Sequence, residues 1–215
     1  MIVRTIRLLV DVVVGGAAWA LLVPWCWGVL TTQLHAVTGA PPEEYALFAG
    51  LVVGLALAFW HRPNLFIHTW LHESAHALVC LLLFVRVGAF RATAGQGGEV
   101  RHEPVDPLRT VPILIAPYVL PLILGPILFA RWLSPDGLLR SGLTFACGTA
   151  LFMHLHGLAL NLRLNTFGAA ADIPRVGHLL AFALIVAALL LIAAATVVVL
   201  WSTHPPAWWN SLFAV

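Results

Sequence analysis

Long runs of apolar residues restrict what this chain can fold into more than any other feature. Six such runs are found, at about residues 8–30, 44–60, 65–88, 109–132, 139–160 and 177–201. Only 9% of the 215 residues are charged, whereas soluble domains carry about 25%. The pattern predicts an all-α integral membrane protein with about six transmembrane helices. A multi-pass protein of the cytoplasmic membrane, surrounded by the lipid bilayer, is the expected localisation.

The polarity of the segments divides the chain into three parts. Residues 1–64 hold the first two apolar segments, and residues 65–201 form a transmembrane core that includes the polar loop 86–109. Residues 202–215 are expected to be an interfacial tail. The first apolar run is long enough to span, which predicts a retained transmembrane helix and not a cleaved signal peptide. Asp11 interrupts this helix early, either near the interface or as a buried polar partner.

Two local patterns predict departures from plain helices. The polar loop begins with partly alternating polarity at 85–91 and contains the turn signal Gly95-Gln96-Gly97-Gly98. We expect a β-hairpin at the membrane surface, with an irregular loop as the alternative. The fourth apolar segment contains four prolines: Pro112, Pro117, Pro121 and Pro126. We therefore expect this helix to be kinked or broken, with the freed backbone groups hydrogen-bonded by neighbouring protein.

The third apolar segment contains an H-E-x-x-H motif, His72-Glu73-Ser74-Ala75-His76. Positions i and i+4 share one face of a helix, so both imidazoles can reach one metal ion. The glutamate then projects near the same ion, where it can act as a general base. Ionisable side chains are costly in a membrane helix unless they serve a function. The motif therefore predicts a metal site, with zinc as the expected ion.

A catalytic zinc site needs three protein ligands, and Asp172 is the leading candidate for the third. It lies in a break between the fifth and sixth segments, where Gly168 and Pro174 favour an unwound chain. His76 is about 15 Å from its helix end at helical rise, roughly at mid-membrane depth. An unwound stretch that dips inward could meet it there, and the alternative is an ordinary loop aspartate that caps the sixth helix. The polar loop offers three alternative acidic ligands, Glu99, Glu103 and Asp106.

Three further histidines are candidates for the surroundings of the metal. His68 lies one turn before the motif and is expected to be a polar neighbour of the site. About 12 Å along the helix axis separates it from His76, too far for both to bind one ion easily. His154 and His156 face different directions, so at most one of them faces the site. We expect an outer neighbour or a structural histidine there, with a ligand as the alternative.

The order of these motifs resembles the site-2 protease family of intramembrane metalloproteases, the M50 group. Its members carry H-E-x-x-H on a transmembrane helix, then a membrane-associated β-region, and later a helix break with an asparagine and an aspartate. The counterparts here are the motif at 72–76, the stretch Val85–Gly88, and then Asn165 and Asp172. The family's aspartate is followed by glycine, whereas isoleucine follows Asp172. The resemblance covers about residues 65–200 and implies bound zinc and cleavage of transmembrane helices in membrane-protein substrates.

A peptidase of this kind is expected to use Glu73 to accept a proton from a zinc-activated water and to pass it to the leaving amine. Asn165 or Asn161 is a candidate for hydrogen bonding the substrate backbone or the oxyanion, with a helix cap as the alternative. The substrate helix must unwind locally before attack. The predicted hairpin could hold the unwound segment by pairing with it as an added strand.

Two other functions remain open from the sequence: a membrane component that binds or transports metal, and a structural membrane protein in which the motif is accidental. A net charge of +2, with eleven arginines spread over the loops, predicts no nucleic-acid partner. Three widely separated cysteines in apolar segments predict neither a disulfide framework nor a cysteine metal site: Cys26, Cys80 and Cys147.

Overall fold

The computed structural model describes residues 8–60, 64–93, 97–168 and 171–202. Gly95 and Gln96 of the predicted turn, and all but the first residue of the predicted tail 202–215, lie outside these ranges. In chain order the elements are α1 (Leu8–Ala36), α2 (Glu44–Trp60), α3 (Leu65–Leu82), β1 (Val87–Thr93), β2 (Gly97–His102), α4 (Pro107–Val119), α5 (Leu124–Leu133), α6 (Leu138–Asn165), α7 (Asp172–Val176) and α8 (His178–Trp201).

Among the described residues, three helices are long and apolar enough to cross a membrane: α1, α6 and α8. The number becomes four if α4 and α5, on either side of a short break, are counted as one span. The predicted count of six is not confirmed. Helix α2 has only 17 residues, and α3 carries three histidines and a glutamate within 18 residues. The coarser expectation, a mostly helical membrane protein, agrees with the structure.

The predicted break in the fourth apolar segment lies at residues 120–123, between α4 and α5. Asp106 begins α4 by accepting hydrogen bonds from the backbone N–H groups of Leu108 (2.9 Å) and Arg109 (3.1 Å). Pro121 lies in the break and has no N–H group to continue the helix. The break expected from the four prolines is therefore confirmed.

Unit 1 is a compact part of the chain made of Met1–Trp27, Pro63–Leu120 and Gly157–Leu189. It contains the predicted hairpin, in which β1 and β2 pair antiparallel. The register begins with Val87 opposite His102 and has an irregularity before Ala89. The hairpin is therefore confirmed. The apolar core of this unit consists of Ile115, Tyr118, Leu158, Ile173, Ala181 and Ile185.

Unit 2 is made of Gly28–Arg62, Pro121–His156 and Leu190–Val215. Two fully buried arginines, Arg131 and Arg140, share Glu43 through ion pairs of 2.6 and 3.3 Å. Because buried charges are costly when unpaired, both arginines need these partners. Their guanidinium groups also donate to carbonyl oxygens at the end of α8, which lack partners within the helix: those of Val199, Leu200 and Ser202.

Candidate metal centre

Three potential metal ligands of unit 1 converge from two elements. His72 and His76 lie one turn apart on α3, and their Nε2 atoms are 3.2 Å apart. Asp172, the first residue of α7, places Oδ2 3.3 Å from His72 Nε2 and 3.6 Å from His76 Nε2. Among the described residues, this is the one group of three such side chains that could hold a metal ion. The structure therefore brings the motif and Asp172 together, as expected, and their role as metal ligands stays a prediction.

Hydrogen bonds at the other ring nitrogens fix both imidazoles. His72 Nδ1 donates to Asn161 Oδ1 (2.9 Å), and His76 Nδ1 donates to the carbonyl oxygen of Ile113 (2.7 Å). These oxygens can only accept, so Nδ1 carries the proton in each ring. The Asn161 amide is itself oriented, because its nitrogen donates to the Pro117 carbonyl (3.0 Å). With the proton on Nδ1, the neutral form of each ring presents the lone pair of Nε2 to the centre.

A positive charge is needed where these atoms meet. Two nitrogen lone pairs and a carboxylate oxygen at 3.2–3.6 Å repel one another unless a cation or a proton lies among them. Around a tetrahedral ion with bonds of about 2.0–2.1 Å, neighbouring ligand atoms lie about 3.3–3.4 Å apart. The three observed distances bracket that spacing. The residues present therefore fit a bound divalent ion.

Asp172 is suited to binding a cation because it is a charged carboxylate in a mostly buried place. Burial by itself raises the pKa of Asp172, but hydrogen bonds from a proton on the His72 or His76 ring outweigh burial and hold that pKa below the usual aspartate range. A cation in the place of that proton would act in the same direction. The side chain is only 13% exposed. A negative charge is therefore available to the site at neutral pH.

Two prolines of the broken helix create acceptors for the site. In a regular helix the carbonyl of residue i accepts from the N–H of residue i+4. Pro117 and Pro121 have no N–H group, so the carbonyls of Ile113 and Pro117 have no such donor. Those two oxygens accept from His76 and Asn161. The expectation that neighbouring protein satisfies the freed backbone groups is confirmed at both positions.

Glu73 is buried beside the cluster and covered by the hairpin. It is 7% exposed and lies within electrostatic range of all three potential ligands. A Cβ atom placed on Gly98 would lie 2.4 Å from Glu73 Cγ, far closer than van der Waals contact. The absence of a side chain at Gly98 therefore lets β2 lie directly on this glutamate.

An open cleft leads to this glutamate within unit 1. It is lined by His72, Glu73, the Gly97-Gly98 pair and the end of α6. Two residues predicted from the sequence as neighbours of the reaction, His68 and Asn165, line the cleft. Their roles stay predictions, as does substrate binding by Asn161, whose amide is engaged by His72 and Pro117.

Tyr118 belongs to the site although no sequence pattern selects it. Its hydroxyl donates to Asp172 Oδ2 at 3.4 Å, and its ring meets the His72 ring edge-on with centroids 6.0 Å apart. The residue is fully buried. A tyrosine within an apolar helix resembles any core aromatic in sequence, so only the fold identifies it as a partner of the carboxylate.

The alternative acidic ligands are engaged elsewhere. Glu99 pairs with Arg101 at 2.8 Å, Glu103 accepts from the Arg86 N–H at 3.2 Å, and Asp106 caps α4. None of them joins the cluster found among the described residues. His154 and His156 belong to unit 2, and their proposed role as outer neighbours of the site stays a prediction.

Comparisons with protein-family models, curated proteins and solved structures found no match to this chain.

Proposed function

We propose that this chain is a membrane-embedded zinc peptidase. Two histidines and a carboxylate form a ligand set used in catalytic zinc sites, which keep a fourth position for water or substrate. The observation that carries the proposal is the convergence of three lone-pair donors beside buried Glu73 and an open cleft. Candidate ligands, a candidate general base and a cleft that could admit a substrate thus lie close together, which supports the proposal.

In the proposed reaction, His72, His76 and Asp172 would hold the ion. Zinc bound there would lower the pKa of a water molecule and polarise the scissile carbonyl. Glu73 accepts the proton of the attacking water on a carboxylate oxygen and later delivers it to the nitrogen of the leaving amine. The hydrogen bonds from Nδ1 to Asn161 and Ile113 keep both imidazoles in the tautomer that this role requires.

We infer that the substrate is an extended peptide segment from a locally unwound transmembrane helix. Three apolar helices give the chain a membrane setting, and β2 borders the cleft at Gly97 and Gly98. A strand without side chains at these positions allows a substrate backbone to come close and to pair with it. This substrate class agrees with the resemblance to the site-2 protease family.

Cleavage of a reporter helix in liposomes tests the proposal. A single-span helix carries a fluorophore and a quencher, with a central Gly-Pro pair in one version and a continuous Leu-Ala sequence in the other. We expect zinc-dependent cleavage that is faster for the Gly-Pro version, because that helix unwinds more easily. Cleavage that persists after chelation, or no cleavage of either reporter by zinc-loaded protein, contradicts the proposal.

A metal-transport function is less well supported. Transport requires polar positions distributed along a path through the membrane. In the part of the chain that the structure describes, only one group of three side chains could hold a metal ion together. No second such group among the described residues marks a path.

Substituting Gly98 with alanine is expected to impair hydrolysis without removing zinc. The new Cβ would lie 2.4 Å from Glu73 Cγ, so either the glutamate or the hairpin must move. A displaced general base lowers the rate by up to about 100-fold. Gly88→Ala is the matched control on the same hairpin, because its Cβ meets no atom closer than 3.8 Å. Equal rates for the two variants would show that β2 does not constrain Glu73.

Substituting Asn161 with leucine is expected to weaken zinc binding about 10–100-fold, as loss of an outer partner of a metal-bound histidine usually does. The substitution removes the acceptor of His72 Nδ1 and leaves the three ligands in place. Competition with a zinc chelator measures the affinity. Asn165→Leu serves as the control, because Asn165 lines the cleft and is expected to affect substrate binding only. The opposite ranking of the two variants would contradict this assignment.

A further inference from the structure

Asp11 of α1 supplies a helix cap that α8 lacks in its own sequence. Helix α8 begins at His178, and Gly177 before it has no side chain with which to accept hydrogen bonds. A capping side chain normally accepts from the second and third N–H groups of a helix. Asp11 does this from another helix: Oδ2 accepts from Leu179 N–H (3.4 Å) and Oδ1 from Leu180 N–H (3.0 Å).

One face of α1, formed by Asp11, Gly15 and Trp19, packs closely against the start of α8. A Cβ atom on Gly15 would lie 2.6 Å from the Leu180 nitrogen, and Trp19 Nε1 donates to the Leu179 carbonyl at 3.1 Å. Positions i, i+4 and i+8 lie on one side of a helix, so a single face makes all three contacts. The backbone is π-helical from Asp11 to Gly15, an arrangement often found at functional sites.

Gly177 is required on the α8 side of this contact. Its φ angle of +109° is one that residues with a side chain rarely adopt, and a Cβ there would lie 2.4 Å from Asp11 Oδ1. The carboxylate thus occupies the space that the missing side chain leaves. An acidic residue in an apolar helix is costly unless its charge is satisfied, and these two N–H groups satisfy it.

The capped position is one residue away from the helix that carries the third potential metal ligand. Helix α7 begins with Asp172, and its last turn is closed by the Gly177 N–H donating to the Ile173 carbonyl at 3.0 Å. A helix of five residues has little stability of its own, so the contacts at its ends determine where it lies. At one end Ile173 is fully buried in the core of unit 1, and at the other Asp11 holds the start of α8.

We propose that Asp11 is a positioning residue for Asp172, so that α1 takes part in building the metal centre. The proposal rests on the metal centre of the proposed function, and Asp11 acts through the α7–α8 junction without touching the ion. Loss of this carboxylate frees the junction and lets Asp172 move away from His72 and His76. Helix α1 would then help to arrange the metal centre in addition to lying in the membrane.

Two measurements on the full-length protein in detergent test this proposal. Hydrogen exchange at the Leu179 and Leu180 amides, followed in metal-free protein, is expected to accelerate at least about 10-fold in Asp11→Ala, because both protecting bonds are lost. Zinc affinity, measured by chelator competition, should fall about 10-fold or more, as for other outer partners of a metal site. Asp11→Asn keeps one oxygen for the Leu180 N–H and should remain within about 3-fold of the parent, an effect of less than one lost hydrogen bond.

Two controls separate positioning from general destabilisation. Val12→Ala removes an exposed apolar side chain from the same turn and should change neither measurement. In an Asp172→Ala background, whose residual affinity comes from His72 and His76 alone, Asp11→Ala should cause no further loss of that residual affinity, because its effect operates through Asp172. Additive losses, or parent-like exchange and affinity in Asp11→Ala, would overturn the proposal. If the parent protein binds no zinc but Asp11→Ala still accelerates exchange at the two amides, the proposed metal centre is refuted and the role of Asp11 as a helix cap is retained.

Discussion

Replacing Glu73 with glutamine is expected to lower peptide hydrolysis about 10²–10⁴-fold, the usual contribution of a positioned general base, while zinc remains bound. Glutamine has nearly the same shape as glutamate, so the close contact with Gly98 is preserved. The amide has no basic oxygen that could accept a proton at neutral pH. Glu73 is not one of the three side chains that could hold the metal, which is why the zinc content should not change.

The informative measurement combines the rate of reporter cleavage with zinc per chain in the same preparation. Glu103→Gln is the matched control, because it neutralises a carboxylate that accepts a hydrogen bond from the exposed Arg86 N–H. We expect parent-like rates for that variant. Loss of zinc together with activity in Glu73→Gln would show that Glu73 is a ligand or a structural residue. Full activity in this variant would exclude it as the base.

The parts of the site that could be predicted from the sequence depend on helical periodicity or on the free-energy cost of placing a charged residue in an apolar chain. Two histidines four residues apart on a helix must share one face, so the spacing alone places His72 and His76 together. Asp172 could be predicted because an acidic residue in a helix break of an apolar chain is energetically costly unless it has a polar partner or a function. The structure brings these three together, although the identity of the ion stays a prediction.

The parts that could not be predicted depend on backbone groups and on tertiary contacts. The prolines at 117 and 121 predict free carbonyls, but the sequence does not state which side chains would reach them. The partners, His76 and Asn161, come from other elements. The hydroxyl of Tyr118 and the cap provided by Asp11 are likewise defined only by packing. Sequence patterns therefore predicted the candidate ligands of this site more readily than the groups that orient them.

The structure does not confirm the predicted count of six spans, and the helices of the candidate site give part of the physical reason. Hydropathy and length together decide whether a helix can cross the bilayer. Helix α3 carries the polar residues of the site among apolar ones, and α4 ends at Val119, shortly before Pro121. Two of the segments that build the candidate site, α3 and α4, therefore differ from plain transmembrane helices because of the residues that form the site.

Replacing Asp172 with alanine is expected to release zinc from the protein, with a loss of affinity greater than the 10–100-fold that follows removal of an outer partner. Two imidazoles alone leave the ion without its only anionic ligand. Affinity in the parent should also fall toward acid pH, because protons compete with the metal for the Nε2 atoms. Zinc per chain and chelator competition measure both effects. Asp136→Ala, which removes a carboxylate that is 66% exposed, should retain the metal.

This experiment also decides between a metal centre and a purely structural role for the cluster. If a proton, and not an ion, lies among His72, His76 and Asp172, the parent contains no zinc and the variant loses stability instead. The structural role then predicts a lower melting temperature for Asp172→Ala under all metal conditions, since a buried hydrogen-bonded ion pair has lost one partner. The metal centre predicts that zinc raises the melting temperature of the parent and leaves that of the variant unchanged, because an ion that binds only the folded state stabilises it.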